Sequence, residues 1–405
     1  MLVVGAGPGG SAAAYHLAGQ GADVVLIDKE RFPRDKVCGD GLTPRAVRAL
    51  IDMGVDVEDP GFARCDGLRT YGEGRTILEL PWPRLRTWPS FGLIRTRLGL
   101  DDLLASRAQK AGARFLQATE ATAPIREDGW VVGAQVKDED GAPIEVRARW
   151  VVAADGGSSR LASGLGVRRD ATRPIGIAAR RYYGTTRPFQ PFMESFVHLR
   201  GDGGLIPGYG WIFFLPDGTV NVGAGLQSTF RDFRHTSARA VFDAFVAGLP
   251  PDWGINEDSA VGPVGSGPLP SGLNRRPAAV PGMLLVGDAA GAVNPWNGEG
   301  ISCAMESGAL AAELIGEALA KDRAAIAHLY PVVLRERYGK YYALGSAWAR
   351  LIGNPKIMRA AVRLGLPRKR LMAFALRVMA NLTDGRDGDV EDRLMDALVS
   401  LAPVR

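Results

Sequence analysis

The chain has 405 residues, of which 46% are hydrophobic and 23% are charged, and its formal net charge is +5. This composition excludes a disordered protein, and the length exceeds one ordinary core, so two or three domains are expected. The three cysteines and four histidines are scattered. They exclude a disulfide framework and a metal cluster, and they favour a reducing cytoplasm.

The first predicted element is an apolar strand over residues 2–4 that runs directly into Gly5-Ala6-Gly7-Pro8-Gly9-Gly10. A small-residue helix over 11–19 and a second apolar strand over 24–27 follow, and that strand ends at Asp28. This order is typical of a dinucleotide site, in which the helix N-terminus binds the pyrophosphate and the acid binds the ribose. Gly5 is expected to permit the tight turn, and Gly10 the close packing of helix on strand. Whether the dinucleotide is FAD or NAD stays open at this point. The predicted cofactor contacts are Gly5, Gly7, Pro8, Gly9, Gly10, Asp28 and Lys29.

Three later segments favour FAD. Asp155-Gly156 ends an apolar strand over 150–154, and Gly287-Asp288 ends another over 283–286 and places its acid at a helix start. Arg97 stands near the beginning of a helix whose leucines pack inward. We expect Asp288 to hold the ribityl chain of a flavin, and the N–H groups after it to face the pyrophosphate or the ring. Each segment alone also fits an ordinary strand or helix end, but their order after a Rossmann unit favours a flavin site.

Four aromatic residues fall within one short predicted strand, in which alternate side chains face opposite sides. Reduction of an isolated alkene requires a dry pocket that holds the double bond over the flavin ring, and aromatic walls provide one. The alternative is an ordinary core strand. The aromatic residues are Tyr209, Trp211, Phe213 and Phe214. The strands predicted for the same, mostly antiparallel sheet include Ile175–Tyr183, Glu194–Leu199, Gly210–Leu215 and Thr219–Leu226.

The segment 334–381 carries eleven Lys and Arg residues, opposed only by Glu336 and interleaved with apolar residues. Asn354-Pro355 and Leu366-Pro367 divide it into two or three predicted amphipathic helices. Such helices fit an anionic membrane surface, which is a candidate partner, and a helical cap with solvated arginines is the equal alternative. No nucleic-acid reading motif accompanies the charge, and no apolar run is long enough to span a membrane.

The three cofactor segments resemble the signatures of FAD-dependent oxidoreductases that share the para-hydroxybenzoate hydroxylase fold. Within that superfamily, Asp35–Val47 resembles the Cys-Gly-rich flavin loop of the geranylgeranyl reductase family. Gly208–Phe213 resembles its Tyr-x-Trp-x-Phe pocket motif, and Asn294–Ile301 its flavin-side turn and helix start. The loop is most similar in appearance to that of actinobacterial menaquinone reductases, which saturate one isoprenyl double bond of the quinone tail. The family has a proline directly after its Trp-x-Phe unit, where this chain has Phe214.

The resemblance implies a non-covalently bound FAD and an isoprenoid lipid or quinone as substrate. It implies further flavin contacts from Cys38, Gly39, Pro295, Gly298, Gly300 and Ile301. The substrate pocket is expected from Tyr209, Trp211, Phe213 and Phe214, and the candidate catalytic residues are Cys38, Tyr209 and Trp211.

The role of Cys38 has two interpretations. The thiol is either a proton donor or ring contact beside the flavin, or a small hydrophobic side chain in a tight loop. Asp40 and Glu299 are weaker candidates, because such residues also cap turns and helices.

The predicted fold class is α/β, with a Rossmann-type FAD-binding domain, a discontinuous antiparallel β-sheet substrate domain and a C-terminal helical region. The FAD domain is predicted over 1–60, 95–165 and 275–330, and the substrate domain over 61–94 and 166–274. The basic, amphipathic helical region is predicted over 331–405.

The predicted function is FAD-dependent saturation of a C=C bond in the isoprenoid chain of a prenyl lipid, with menaquinone as the first candidate. Two alternatives stay open: an FAD-dependent monooxygenase that hydroxylates or epoxidises a small molecule, and a non-catalytic prenyl-binding protein. No second Gly-x-Gly-x-x-Gly unit is found, so the electron donor, NAD(P)H or a small redox protein, also stays open. We expect a monomer without bound metal, cytoplasmic and peripheral on the inner face of the cell membrane.

Overall fold

The computed structural model describes residues 1–73, 77–201, 204–385 and 388–402. The strands are β1 (Leu2–Val4), β2 (Val25–Ile27), β3 (Gly41–Leu42), β4 (Ala63–Cys65), β5 (Gly67–Tyr71), β6 (Ile77–Pro81), β7 (Gly92–Ile94), β8 (Arg114–Leu116), β9 (Glu120–Glu127), β10 (Trp130–Lys137), β11 (Pro143–Arg147), β12 (Val151–Ala153), β13 (Ile175–Tyr183), β14 (Phe192–Phe196), β15 (Arg200–Gly201), β16 (Gly204–Leu205), β17 (Gly208–Phe214), β18 (Val220–Gln227), β19 (Ala260–Pro270), β20 (Ala279–Val280) and β21 (Met283–Leu285). The helices are α1 (Pro8–Gly19), α2 (Pro44–Asp52), α3 (Arg97–Lys110), α4 (Arg160–Gly164), α5 (Ala238–Ala247), α6 (Ile301–Ala320), α7 (Ala324–Ala327), α8 (Tyr330–Ile352), α9 (Pro355–Gly365), α10 (Lys369–Ala380) and α11 (Val390–Ser400).

A six-stranded sheet in the order β20-β21-β12-β1-β2-β8 forms the nucleotide-binding half of the fold. Its neighbouring strands are parallel apart from β20, which pairs antiparallel with β21. The central strands are short, apolar and buried, as expected for parallel strands covered on both faces. The predicted α/β fold class with a Rossmann-type unit is confirmed.

Glycines shape the connection between β1 and α1. Gly5 has a φ of +98°, and a Cβ there would lie 2.4 Å from the backbone oxygen of Ala154. A Cβ on Gly10 would lie 1.8 Å from the oxygen of Gly5, so glycine alone lets α1 pack this closely on β1. The helix begins at Pro8, earlier than the predicted Ser11, because the fixed φ of proline suits the first helical position.

A seven-stranded sheet in the order β19-β13-β18-β17-β14-β5-β6 forms the second half. It is antiparallel apart from the β14–β5 pair, which agrees with the predicted mostly antiparallel sheet. One of its faces packs against α5 in an apolar cluster. Its strands come from residues 67–81 and 175–270, within the segments predicted for the substrate domain, whose boundaries stay a prediction.

A small antiparallel sheet of β3, β7 and β4 connects the chain after residue 40 with segments 63–65 and 92–94. It places β3 immediately after the predicted flavin loop. A separate antiparallel sheet of β9, β10 and β11 lies between β8 and β12 in the chain. The β9–β11 sheet lies within the predicted FAD segment 95–165, and the boundaries of the FAD domain stay a prediction.

The C-terminal helices divide at the two predicted prolines, because α8, α9 and α10 end or begin beside Pro355 and Pro367. Tyr338, Tyr341 and Tyr342 of α8 are buried in the same apolar cluster as α1 and α6. This helix therefore belongs to the core, whereas α9 and α10 carry exposed leucines among basic residues. Among the described helices, none combines the length and the apolar character needed to cross a membrane.

Candidate active site

The N-terminus of α1 forms the centre of an anion-binding cradle. Gly7 precedes the helix, and no side chain caps its first turn. A Cβ on Gly7 would lie 3.7 Å from a guanidinium nitrogen of Arg34 and 3.8 Å from one of Arg97. Both arginines bind Asp101, Arg97 at 2.6 and 2.7 Å and Arg34 at 2.6 Å. Free helix N–H groups beside two fixed cations suit the pyrophosphate of FAD.

Asp28 is fixed beside the first turn by backbone donors. Its Oδ2 accepts a 2.8 Å hydrogen bond from Ala6 N, and its Oδ1 accepts one of 3.0 Å from Glu30 N. Arg34 lies 3.7 Å from the same carboxylate. The side chain of Lys29 is 63% exposed and pairs with Glu30, so the structure does not bring it into this cradle.

In the second cofactor segment, Asp155-Gly156, one buried carboxyl oxygen makes no hydrogen bond within the described part of the chain. Asp155 Oδ2 accepts a 3.3 Å bond from Leu161 N, whereas its buried Oδ1 has no partner among the described residues. Burial raises the pKa of this carboxyl. Gly156 follows with a φ of +78°, and a Cβ there would meet nothing within 4 Å. An unpaired carboxyl oxygen beside open space fits a hydroxyl-bearing ligand such as FAD.

Asp288 lies in a single 3₁₀ turn, Gly287–Ala289, and not at the start of a longer helix as the sequence had indicated. The turn ends at once because the chain bends at Gly291, which has a φ of +70°. Asp288 Oδ2 is 3.0 Å from Lys36 Nζ, a residue of the predicted flavin loop. This ion pair brings the third cofactor segment and the flavin loop together.

The predicted flavin-side turn closes on the pocket strand. Gly298 has a φ of +77°, Gly300 precedes α6, and Ile301 is the first residue of that helix. The hydroxyl of Tyr209 donates a 2.7 Å hydrogen bond to the backbone oxygen of Asn297, and Pro295 O accepts a 3.1 Å bond from Gln227. The structure thus brings Gly298 beside Tyr209 and Pro295 beside β18. Gly300 lies near Asp288, and Ile301 belongs to an apolar cluster against which Cys38 packs.

Glu299, a weaker candidate, caps α6. Its two carboxylate oxygens accept bonds of 2.6 and 2.5 Å from the backbone and hydroxyl of Ser302. Burial raises the pKa of this carboxyl, as it raises that of the neighbouring Tyr209 phenol to about 12. The capping interpretation of Glu299 therefore accounts for its contacts.

Three of the four predicted pocket residues share one face of the seven-stranded sheet. Tyr209, Trp211 and Phe213 alternate along β17 and lie opposite Gly225, Gly223 and Asn221 of β18. A Cβ on Gly223 would lie 2.1 Å from the Trp211 ring, so the indole lies flat across this glycine.

Phe214 faces the other way. It is 2% exposed and belongs to the apolar cluster between the sheet and α5. The prediction that it lines the same pocket is corrected here: adjacent strand residues face opposite sides.

The predicted flavin loop packs directly on this aromatic face. A Cβ on Gly39 would lie 3.3 Å from Trp211 Nε1, and one on Gly41 would lie 3.0 Å from the Phe213 ring. Both glycines therefore allow the loop to approach the indole and the phenyl ring. The loop and the pocket strand lie about 170 residues apart in the chain and come together at this contact.

Cys38 is half-buried at the start of this contact, whereas Cys65 and Cys303 are buried elsewhere. Its sulfur accepts a 3.4 Å hydrogen bond from Asp40 N. Burial raises the pKa of the thiol, and the nearby Arg97 opposes that effect. Cys38 is thus held as a neutral thiol, a form that carries a proton.

A polar network joins the loop to the sheet, and most of its residues could not be predicted from the sequence. Trp211 Nε1 donates to Asn221 Oδ1 at 2.9 Å, and Asn221 Nδ2 donates to Cys38 O at 2.8 Å and to Asp40 Oδ2 at 2.7 Å. Tyr182 donates to the same Asp40 oxygen at 2.7 Å. Asn221 and Tyr182 lie in strands whose sequences do not indicate a site. Only the register of these strands shows that both residues contact the loop. The role of Arg34 could not be predicted either, because it depends on the contact that this side chain makes with Asp101 of α3 in the folded chain.

No group of three or more His, Cys, Asp or Glu side chains in the described part of the chain has the arrangement of a metal site.

Comparison with known proteins identifies the family of the chain. The family models "FAD binding domain" and "FAD dependent oxidoreductase" match residues 1–180 and 98–314. A menaquinone reductase of Mycobacterium tuberculosis is 38% identical over 390 residues, covering 96% of this chain and 92% of the relative. A digeranylgeranylglycerophospholipid reductase of Methanothermobacter thermautotrophicus is 32% identical, covering 84% and 83%. The crystal structure of a geranylgeranyl bacteriochlorophyll reductase-like protein from Thermoplasma acidophilum has a TM-score of 0.78 at 24% identity, covering 98% of each chain, and shares the fold.

Proposed function

Since this chain belongs to the FAD-dependent oxidoreductase family that contains the menaquinone and digeranylgeranylglycerophospholipid reductases, we propose that it saturates a C=C bond in the isoprenoid chain of a prenyl lipid. Menaquinone is the first substrate to test, because the similarity to the menaquinone reductases extends over 96% of the chain. The electron donor stays open, and NAD(P)H is one candidate.

The observation that supports this proposal most strongly is that apolar side chains continue from the pocket face to α10. Phe213 and Met193 belong to one apolar cluster with Met372 and Leu376 of α10. A hydrocarbon chain that reaches the flavin loop along this cluster would meet apolar side chains over its length. A small polar substrate, as expected for the hydroxylase alternative, would find few partners there.

The residues of the pocket have distinct tasks in such a reaction. FAD held at the N-terminus of α1 beside Arg34 and Arg97 would supply, in its reduced form, the hydride that one carbon of the double bond requires. Trp211 and Phe213 hold the hydrocarbon against the flavin loop and exclude water. Cys38, a neutral thiol at the same contact, carries a proton that the second carbon requires.

Anaerobic turnover tests the reaction class. The purified, FAD-loaded protein is reduced with dithionite under nitrogen and mixed with menaquinone in detergent. We expect flavin reoxidation and a product that is still heavier by two hydrogens after its quinone ring has been oxidised again in air. Reoxidation only after oxygen is admitted, with oxygen in the product, would favour the monooxygenase alternative. A protein that takes up no FAD would favour the prenyl-binding alternative.

We also propose that α9 and α10 dock on an anionic membrane surface. Leu364 is 61% exposed and Leu371 is 51% exposed, and Arg368, Lys369 and Arg370 lie between them on the surface. Exposed leucines beside cations favour insertion into the headgroup region of anionic lipid. A cytoplasmic monomer attached in this way would take its lipid substrate from the inner face of the membrane.

Vesicle flotation tests this docking. The protein should float with phosphatidylglycerol vesicles and not with phosphatidylcholine vesicles. Charge reversal at Arg368, Lys369 and Arg370 should abolish flotation, while charge reversal at the exposed Arg126, Lys137 and Arg168 should not. Undiminished flotation of the first variant would refute the proposal.

A further inference from the structure

Asp40 is a buried carboxyl at the centre of the flavin loop, and the proposed chemistry does not use it. Its exposed fraction is 0%. Its φ of +65° lies in the left-handed region, which residues other than glycine rarely adopt. Gly39 and Gly41 flank it and contact the aromatic face. A buried acid with this strained backbone persists only where the surrounding groups stabilise it.

Three donors converge on the Asp40 carboxylate. Its Oδ2 accepts 2.7 Å hydrogen bonds from Tyr182 and from Asn221, and its Oδ1 accepts one of 3.2 Å from the backbone N–H of Arg97. Tyr182 and Asn221 belong to the sheet, whereas Arg97 begins α3. An oxygen pair that only accepts hydrogen bonds is the arrangement expected of the ionised form.

The amide of Asn221 transmits this arrangement to the pocket. Its oxygen accepts from Trp211 Nε1 at 2.9 Å, while its nitrogen faces Asp40 and Cys38 O. The orientation of the amide is therefore fixed from both sides. A proton on Asp40 would remove the negative charge that strengthens the hydrogen bonds from Tyr182 and Asn221. The hold of the loop on the Asn221 amide, and through it on Trp211, would then weaken.

We propose that Asp40 is a positioning residue that couples the flavin loop to Trp211 through Asn221, and that protonation of its carboxylate uncouples them. Asp40 sets the relative position of Cys38 and Trp211 and does not exchange a proton with the substrate. The activity readout of this inference rests on the proposed function, whereas its structural readout does not.

The charges and hydrogen bonds around Asp40 place the protonation of its carboxylate in an accessible pH range. Burial raises the pKa of Asp40 to about 6, and the hydrogen bonds from Tyr182 and Asn221 and the positive charges of Arg180 and Arg97 oppose that rise. The carboxylate is thus present at neutral pH, and kcat/KM should fall as the pH falls through about 6. The titratable and charged groups around the site are Tyr182, Arg180, Arg97, Cys38, Asp35 and Lys36.

A pair of tyrosine variants tests the coupling. Tyr182→Phe removes one donor to the carboxylate, so the acid limb of kcat/KM should move to higher pH by about one unit. Tyr71→Phe is the matched control, because Tyr71 donates a 2.9 Å hydrogen bond to the buried Glu194 of the same sheet. The control should keep the wild-type limb. Coincident limbs in Tyr182→Phe and wild type would overturn the proposal.

Hydrogen–deuterium exchange of the purified protein supplies the second readout. After correction for intrinsic rates, peptides covering 38–42 and 209–214 should lose protection below about pH 6 in the wild type, because the network opens when Asp40 is protonated. Asp40→Asn should lack that protection at every pH. If this variant does not fold, Tyr182→Phe decides, since its loss of protection should begin at higher pH.

The two readouts separate this inference from the proposed function. A protein that reduces no prenyl substrate but shows the shift in exchange supports the coupling and rejects the function. Prenyl reduction with pH-independent protection of both peptides rejects the coupling and keeps the function.

Discussion

Substitution of Gly223 by alanine should disable the pocket without disturbing the cofactor cradle. The new Cβ would lie 2.1 Å from Trp211 Cζ2 and 2.4 Å from Cε2. Because carbon atoms pack at about 3.5 Å, the indole would have to move by roughly 1.4 Å. That movement would break the 2.9 Å hydrogen bond from Trp211 to Asn221.

The expected loss of activity follows from this displacement of the indole. A shift of about 1 Å in a group that positions the substrate costs about 10²-fold in rate, so kcat/KM of Gly223→Ala should fall by about that factor. FAD content should stay at the wild-type level, because Gly223 lies in the seven-stranded sheet and not in the cradle.

The assay is flavin reoxidation by the prenyl substrate after anaerobic reduction, with FAD content measured by absorbance. Gly267→Ala in β19 of the same sheet is the control, since its Cβ would find its nearest neighbour only at 4.0 Å. We expect the control to match the wild type. Wild-type turnover by a folded, FAD-loaded Gly223→Ala variant would refute the assignment of Trp211 to the pocket wall.

Other substitutions test separate parts of the site. Gly10→Ala should lose FAD because its Cβ would lie 1.8 Å from a backbone oxygen, whereas Gly19→Ala, with nothing within 4 Å, should retain it; equal absorbance of both would contradict the cradle. Asp288→Ala should also lose FAD, and a yellow, active variant would refute that contact. Cys38→Ala should slow product formation by about 10²-fold or more with FAD retained, and unchanged turnover would reject its proton role. Because burial raises the pKa of Asp40 to about 6 in the folded chain, above the value of about 3.9 in an unfolded chain, the free energy of unfolding of the wild type should rise by roughly 1 kcal/mol relative to Asp40→Asn between pH 8 and pH 5, and a constant difference in chemical denaturation would contradict this.

The cofactor half of the site was predictable because its geometry is local. Gly5, Gly10 and Asp28 are close in sequence, and each of them has a conformational or hydrogen-bonding requirement that narrows the residue type. The same is true of the helix breaks at Pro355 and Pro367, which follow from the missing N–H and fixed φ of proline.

The contacts between distant strands were not predictable from one sequence. Asn221 and Tyr182 are ordinary strand residues until the register of β18 and β13 places them beneath the flavin loop. Phe214 was assigned to the pocket by its aromatic character, but strand alternation places it on the opposite face. Asp40 was predicted only as a weaker candidate, because its partners come from three other elements and cannot be identified from one sequence.

The C-terminal helices differ from each other in how deeply their side chains are buried. Tyr338, Tyr341 and Tyr342 hold α8 in the core, and their hydroxyls bind buried partners. Leu364 of α9 and Leu371 of α10 are exposed on the surface, whereas Leu376 of α10 is buried. A chain that anchors one helix and leaves the next two amphipathic is suited to meet lipid with those two helices.

Turnover in heavy water tests the central claim most directly. Flavin N–H and thiol protons exchange with solvent, so menaquinone reduced anaerobically by the dithionite-reduced protein in D₂O should gain two deuterium atoms. Tandem mass spectrometry should find both on adjacent carbons of the isoprenoid chain. Menaquinone with an unlabelled tail, recovered after the flavin of the folded protein has been reoxidised, would contradict the account.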